Sequence, residues 1–279
     1  MSGLLAKTVR AGLSILRIQT ASGLQYRLAA LASVVTPVFW AVVEVIVIRV
    51  YYSFADNYGA GVQAGLTLQQ AVSYLWLAQV IHFIQPMRLE GEIVAKITSG
   101  DVGLELCRPL DIQLHWFMRS AGSRLSAAFV HSGPVAIAAI LMPAGYALGP
   151  PASPASFGAM LCTIIGAVCL SSALTTLMYV MQLNVAWGSG PSNMFSILAG
   201  VLSGGYVPLQ FWPDFMQGFL RWQPFAGLVD LPLRLYVGAL EPDEVWGVLL
   251  SQFVWTTGFL VLGRLMLRRN LKRLVVQGG

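Results

Sequence analysis

Charged side chains are scarce in this sequence. Only 10% of its 279 residues are Asp, Glu, Lys or Arg, against roughly 25% in soluble domains. Because 56% of the residues are hydrophobic, most of the chain cannot face water, which excludes a soluble globular protein and a disordered one. The 3 cysteines have no CxxC or CxxH spacing, so they indicate neither a disulfide framework nor a metal site.

The chain contains long apolar runs instead, each near the ~20 residues that cross about 30 Å of hydrocarbon as a helix. There are six, at residues 28–48, 71–87, 125–148, 157–181, 194–212 and 245–263. The first follows a basic segment and has no small-residue cleavage site after it, so we interpret it as a retained helix rather than a signal peptide. The predicted fold is all-α: a single polytopic membrane domain over residues 1–279, with six transmembrane helices.

The positive charges are unevenly distributed between the two sides of this predicted membrane domain. Of the 17 Lys and Arg residues, all but Arg49, Arg221 and Arg234 fall on the side that carries both termini. The positive-inside rule places that side in the cytoplasm, and we expect the bacterial cytoplasmic (inner) membrane. The basic excess follows from this orientation and from anionic lipid head groups, so nucleic-acid binding need not be invoked.

The N-terminal segment, residues 1–27, mixes apolar and basic side chains. Leu5, Val9 and Leu13 fall at helical spacing among Lys7 and Arg10, which is typical of an amphipathic helix lying on the membrane surface with basic side chains toward the head groups. An ordinary amphipathic helix in water is the alternative.

Residues 88–115 form the longest predicted cytoplasmic connection. Charged and apolar residues alternate there at roughly helical spacing. The sequence predicts a short helix broken at Ser99-Gly100 and a second segment stopped at Arg108-Pro109. This elbow either presents a surface to a partner or only joins two membrane helices.

Residues 205–244, on the outer side, are too often interrupted to form one membrane helix. Their apolar stretches are separated by Pro208, Pro213, Pro224, Pro232 and Pro242. Irregular backbone at membrane depth requires burial in protein or a cavity, so we predict two short re-entrant or interfacial helices that cap the bundle. The i,i+4 spacing of Asp230 and Arg234 allows them to pair on one face.

These segments together resemble the permease subunits of the ABC-2 class of ATP-binding-cassette transporters, in particular a six-helix subfamily. The elbow matches its pattern of Ile, Gly, Leu and Arg-Pro at Ile97, Gly100, Leu106, Arg108 and Pro109. The outer segment matches its order of glycine, proline and aromatic landmarks at Gly205, Pro208, Phe211, Pro213, Pro224, Phe225 and Pro232. The resemblance covers nearly the whole chain.

The resemblance implies a transport subunit, half of an exporter, that works with a separate ATPase present in two copies and with a second permease, related or identical. The elbow residues that it implies for ATPase coupling are Glu90, Glu92, Ile97, Gly100, Asp101, Leu106, Arg108 and Pro109. Some relatives are regarded as exporters of cationic toxic compounds such as viologens. An apolar path with few fixed charges suits amphipathic or hydrophobic cargo.

A site for ATP is missing from the sequence itself. A P-loop ends in Gly-Lys-Ser/Thr, whereas the only Lys-Ser/Thr pair, Lys7-Thr8, follows Ala6. We therefore expect no cofactor on this chain, and ATP and Mg²⁺ to be used by the partner ATPase.

A few polar and small residues inside the apolar runs are candidates for the transport path or for packing. Glu44, about 9 Å from the midpoint of the first run, either lines or gates the path or pairs with Arg49 or another outer cation. Gln79, His82 and Gln85, three residues apart, either line a cavity or bond between helices. His131 has no second ligand at metal spacing and is interpreted as a packing residue. Further path or gating candidates are Pro208, Pro224 and Phe225; Gly200 and Gly204 serve a subunit interface, the outer path or packing within the chain.

Two other classes of membrane protein remain as alternatives. An ion-coupled secondary transporter or channel acting without an ATPase is expected to show repeated broken helices in two halves, and the proline-rich segment occurs only once. An intramembrane enzyme needs convergent titratable groups, and Glu44 and His131 lie in different runs.

Overall fold

The computed structural model describes residues 27–57, 65–86, 89–103, 111–183 and 190–271, together with Ser14, Arg17 and Ile18. Within these residues every regular element is helical and no strand occurs, which confirms the all-α prediction. The predicted N-terminal surface helix lies outside the described residues, apart from Ser14, Arg17 and Ile18, which are helical.

The α-helices are numbered along the described chain: α1 Arg27–Asn57, α2 Leu68–Val80, α3 Gly91–Ser99, α4 Ile112–Ala127, α5 Gly133–Ile140, α6 Pro154–Gln182, α7 Gly190–Leu202, α8 Asp214–Trp222, α9 Asp230–Val237 and α10 Val245–Leu271. A π-helical turn, Ala128–Ser132, joins α4 to α5. Single 3₁₀ turns occur at His82–Ile84, Leu209–Phe211, Pro224–Leu228 and Pro242–Glu244.

Three stretches of helix are long and apolar enough to cross a membrane: Val34–Phe54 in α1, Pro154–Gln182 and Pro242–Asn270. The first continues beyond the predicted end at residue 48, past Arg49. The Arg49 guanidinium donates to the Gly145 carbonyl oxygen and lies 4.1 Å from the centre of the Tyr146 ring. Because the Gly145 carbonyl oxygen and the Tyr146 ring stabilise the charge of the guanidinium, α1 continues past Arg49, where the sequence pattern predicted its end.

The other three predicted membrane helices are short or interrupted. α2 ends at Val80 and is followed by a 3₁₀ turn before Pro86. α4 continues into α5 only through the π-helical turn, because Pro134 has no N–H to donate and its ring displaces the carbonyl four residues earlier. α7 ends at Leu202, before Gly204 with φ +79°, so the predicted run at 194–212 is not one helix.

α6 is the central helix of the bundle. It packs against α10, α4 and α9, and Leu170 and Leu174 share one buried cluster with Tyr74 of α2 and Leu233 of α9. Within its apolar window 56% of the residues are buried, against 11% in the windows of α1 and α10. α1 and α10 therefore lie at the periphery, where apolar side chains remain exposed as expected of lipid-facing surfaces.

Two groups of elements lie at opposite ends of α6. The first is the described part of the elbow at residues 89–103, whose Ile93 and Val102 pack with Tyr179 near the end of α6. We call residues 205–244 the cap; their Leu235 packs with Ala159 near its start. At 1.5 Å per residue, Ala159 and Tyr179 are about 30 Å apart, close to the thickness of bilayer hydrocarbon.

Candidate functional site

A cavity of about 570 Å³ lies between α1, α2 and the residues that follow α7. We call it the Glu44 cavity. Most of its lining side chains are apolar or aromatic, and those that can carry a charge near neutral pH are Glu44 and His82. Its lining residues are Thr36, Pro37, Trp40, Val43, Glu44, Val47, Ile48, Leu75, Gln79, His82, Tyr206, Val207 and Pro208.

Glu44 lies in the middle of the apolar stretch Val34–Phe54, not near its end as the predicted run implied. Its two carboxylate oxygens accept hydrogen bonds from the Gln79 side-chain nitrogen at 3.2 and 3.3 Å. In the structure Arg49 donates to the Gly145 carbonyl oxygen instead of pairing with Glu44, and a pair of Glu44 with another outer cation stays a prediction. A carboxylate at the centre of a membrane helix costs roughly 2.5 to 3.5 kcal/mol on insertion scales, so it is a candidate binding group for a cation.

The structure brings together some of the predicted path residues and separates others. Glu44, Gln79, His82 and Pro208 all line the Glu44 cavity. Gln85 lies in an adjoining cavity, because α2 ends before His82 and the chain turns. Phe225 instead packs in the cap, its ring centre 5.6 Å from that of Phe195.

Gly200 and Gly204 permit close packing within the chain. A Cβ atom on Gly200 would lie 2.9 Å from the ring of Tyr206, and one on Gly204 would lie 2.6 Å from the Tyr74 hydroxyl oxygen. Since Tyr206 lines the Glu44 cavity, Gly200 helps to position one of its walls. Both glycines thus pack closely within the chain, and their roles at a subunit interface or in the outer path stay predictions.

The acidic residues of the elbow are bound by their own chain. Arg119 of α4 donates to the Glu90 carboxylate at 2.6 Å and to that of Glu92 at 2.5 Å, and Lys96 lies 3.0 Å from Glu92. The Glu90 backbone N–H donates to the Tyr179 hydroxyl oxygen at 3.0 Å. The hydrogen bond from Arg119, with a second from Lys96, lowers the pKa of Glu92 to about 2. These contacts hold α3 on the end of the bundle.

The face of the elbow that points away from these contacts is exposed and carries mostly small side chains. Gly91, Ala95, Thr98 and Asp101 are exposed. α3 ends at Ser99, at the predicted break, with Gly100 at φ +83°. Ile97 packs against the buried cluster beneath the elbow, while Leu106, Arg108 and Pro109 lie outside the described residues.

Sequence reasoning missed the importance of Arg124, which it counted only as a cytoplasmic charge. Its side chain is 7% exposed and donates to Ser120 of α4 and to Ser171 and Thr175 of α6. The available signal was the cluster of hydroxyl residues, Ser171, Ser172, Thr175 and Thr176, in the middle of an apolar helix.

The predicted pair of Asp230 with Arg234 forms, but sequence reasoning missed that Asp230 is buried. It is 1% exposed, and its carboxylate accepts from the Tyr74 hydroxyl at 3.0 Å and from the Leu209 backbone N–H at 3.2 Å. The Arg234 guanidinium lies farther off, at 3.7 Å. Asp230 therefore ties the cap to α2.

The described residues contain no group of His, Cys, Asp or Glu that could hold a metal ion. His131 lies on the π-helical turn and lines the adjoining cavity. The site is thus an apolar cavity with one carboxylate, next to a second cavity with a buried arginine, on a helical membrane scaffold.

Comparison with known proteins agrees with this architecture. No curated protein and no solved structure matches the chain. The family model described as ABC-2 family transporter protein matches residues 26–278, which is nearly the whole chain. Members of this family are transport permeases rather than enzymes, and this multi-pass membrane chain belongs to the ABC-2 family of transporter proteins.

Proposed function

We propose that the chain is the transmembrane subunit of an ATP-driven exporter, coupled through its elbow to a separate ATPase subunit that uses ATP and Mg²⁺. The observation that carries this is the form of the elbow, a nine-residue helix anchored on one face and exposed on the other. Buried Ile93 and Val102 fix it to the bundle, so a push on its exposed face is transmitted to α6. A partner that binds the elbow unequally in two states shifts the conformational equilibrium of the chain.

The same proposal includes six membrane crossings with both termini in the cytoplasm. α2 with its 3₁₀ turn, α4 joined to α5, and α7 with the cap would supply the crossings that are not single long helices. The positive charges support this orientation: Arg119, Arg264 and Arg268 lie at the elbow end, whereas Arg49, Arg221 and Arg234 lie at or near the cap end. The bacterial inner membrane is the expected location. A dimer of permeases, identical or related, would complete the path, with two copies of the ATPase.

The exposed face of the elbow can be tested without disturbing its anchors. Ala95→Arg adds a long cation to that face, whereas Ala155→Arg makes the same change at an exposed position in the first turn of α6, at the other end of the molecule. We expect Ala95→Arg to lower recovery of the ATPase in co-purification about tenfold, equivalent to ~1.4 kcal/mol, and Ala155→Arg to leave it unchanged. Full recovery with Ala95→Arg, or transport by the purified chain without any ATPase, would overturn the proposal.

Within the exporter, the Glu44 cavity would form part of the path. Its walls are mostly apolar and it holds one carboxylate, which suits an amphipathic compound with a positive charge. Trp40 and Tyr206 offer aromatic faces that attract cations. Pro208 closes the cavity from the cap side.

Transport of the lipophilic cation tetraphenylphosphonium tests this role. In vesicles that contain the whole assembly, Glu44→Gln keeps the size of the side chain and its bond to Gln79 but removes the charge. We expect ATP-dependent transport to fall about tenfold, while Asp243→Asn, a matched change at an exposed acid, has no effect. If Glu44→Gln leaves both transport and stimulation of the ATPase unchanged, Glu44 is structural and the path runs elsewhere.

A further inference from the structure

The second cavity, about 320 Å³, adjoins the Glu44 cavity and shares Pro37, Gln79 and His82 with it. We call it the Arg124 cavity. In contrast to its neighbour it contains a cation and no carboxylate. Its lining residues are Pro37, Gln79, Val80, His82, Phe83, Gln85, Ser123, Arg124, Ala127, His131 and Val135.

Arg124 is a buried charge held by neutral groups alone. Its Nε donates to Ser171 Oγ at 2.8 Å, its Nη1 to Ser120 Oγ at 2.5 Å, and its Nη2 to Thr175 Oγ1 at 2.6 Å. Among the described residues no carboxylate lies within salt-bridge distance of it, and Glu90 is paired with Arg119. Buried charges in proteins are generally paired with an opposite charge or a ligand.

Hydrogen-bonding capacity remains at the edge of this cavity. Arg124 Nη2 carries two hydrogens, and the described residues provide an acceptor for one of them, Thr175. The Gln85 side-chain oxygen is buried and has no donor within the described chain. A buried polar group without a partner calls for one, such as a bound water, ion or ligand.

The cavity is accessible from the surface of the bundle. Ser123, Ala127 and His131 are half-buried, so its mouth lies along α4 and the π-helical turn. Val80, Phe83 and Val135 make the remaining wall apolar. A ligand that fits has an anionic group for Arg124 and an apolar part for this wall.

We propose that the Arg124 cavity binds a phosphate group, and that its source is the head group of a membrane phospholipid. Arginine suits phosphate because its planar donors match two oxygens at once. A head group such as glycerol or ethanolamine also brings a donor for the Gln85 oxygen. The bound lipid then neutralises a charge that the described protein leaves unpaired, and joins α4 to α2 and the turn that follows it.

The test titrates the purified full chain, in dodecyl maltoside, with phosphatidylglycerol and counts bound lipids by native mass spectrometry. We expect one retained lipid per chain, and binding about tenfold weaker in Arg124→Gln. Ala127→Phe fills the mouth while leaving every hydrogen bond of Arg124 in place, and we expect a similar loss. Ile137→Phe, at an exposed position of α5, is the matched control and should bind like the unaltered chain.

Because Arg124→Gln removes hydrogen bonds that join α4 to α6, melting midpoints are measured for all variants and Ala127→Phe decides the outcome. Lipid retention by a folded Ala127→Phe variant equal to that of the unaltered chain would overturn the proposal. Inorganic phosphate at millimolar concentration distinguishes a lipid head group from a soluble compound as the source of the phosphate. If it displaces the lipid, the site binds a soluble phosphate compound and the assignment to a lipid is wrong; if it does not, the lipid is the ligand.

Discussion

The elbow and the cap both pack on the central helix α6 through buried apolar side chains, but their polar contacts to the rest of the bundle are of opposite kinds. At the elbow, charged side chains near the surface hold α3 to α4, and Glu92 is 58% exposed. At the cap, buried groups hold α9 to the bundle: Asp230 bonds to Tyr74, and the Tyr236 hydroxyl donates to the Gly149 carbonyl oxygen at 2.9 Å.

This difference indicates how each end can move. Exposed ion pairs contribute little, because water and salt compete for the same charges. The ion pairs of the elbow can therefore be exchanged for contacts with a partner at small cost, while buried Ile93 and Val102 keep it on the bundle. The cap cannot separate without leaving buried polar groups unpaired, which costs several times more. We expect a rigid cap and an adaptable elbow.

The largest effect is expected at Asp230. Replacing it with Ala leaves the Leu209 N–H without an acceptor, Arg234 without its anion and Tyr74 with only the Gly204 carbonyl oxygen, at a cost of about 3 to 5 kcal/mol in the free energy of unfolding. Thermal unfolding in nanodiscs measures the change, with Asp243→Ala, an exposed acid of the cap, as control. Equal melting midpoints for the two variants would mean that the cap is not held by this network.

A smaller effect is expected at Gly204, where the backbone has φ +79°. Alanine in this left-handed conformation destabilises the fold by roughly 1 to 2 kcal/mol. Its Cβ would also lie 2.6 Å from the Tyr74 hydroxyl oxygen. Gly218→Ala is the matched change: it lies inside α8 with nothing within 4 Å of the added atom, and should stabilise that helix by about 0.5 to 1 kcal/mol. Opposite signs in the melting midpoints support the comparison, and a neutral Gly204→Ala contradicts it.

The smallest effect is expected at Glu92 in the elbow. Its folded pKa is lowered from 4.5 to about 2, so its contribution is fully present above the unfolded value and is lost as the pH falls through the folded one. The exposed pair should contribute about 0.2 to 1 kcal/mol. We expect Glu92→Gln to melt slightly below the unaltered chain at pH 7, and the difference to vanish toward pH 2 or in 1 M NaCl. A difference that stayed constant with pH and salt would show that packing, not charge, holds the elbow.

Local features of the sequence predicted much of the scaffold. The break in the elbow at Ser99-Gly100 and the proline-separated helices of the cap both follow from backbone restrictions that act on one or two residues. Helix lengths were predicted less well. The apolar run of α1 was ended at Arg49, whose partners lie 96 residues away at Gly145, and no local pattern announces such a contact.

The candidate site was likewise predicted from the sequence only in part. Composition alone determined that the chain is helical and embedded in a membrane, because so little charge leaves it no other solvent, and a carboxylate in an apolar run identified Glu44. Only the tertiary structure decided that Glu44 accepts a hydrogen bond from Gln79 in the wall of a cavity, and that Arg124 donates to Ser171 and Thr175 of another helix. Those contacts join elements far apart in the chain, and their energies depend on burial, which exists only once the helices have packed.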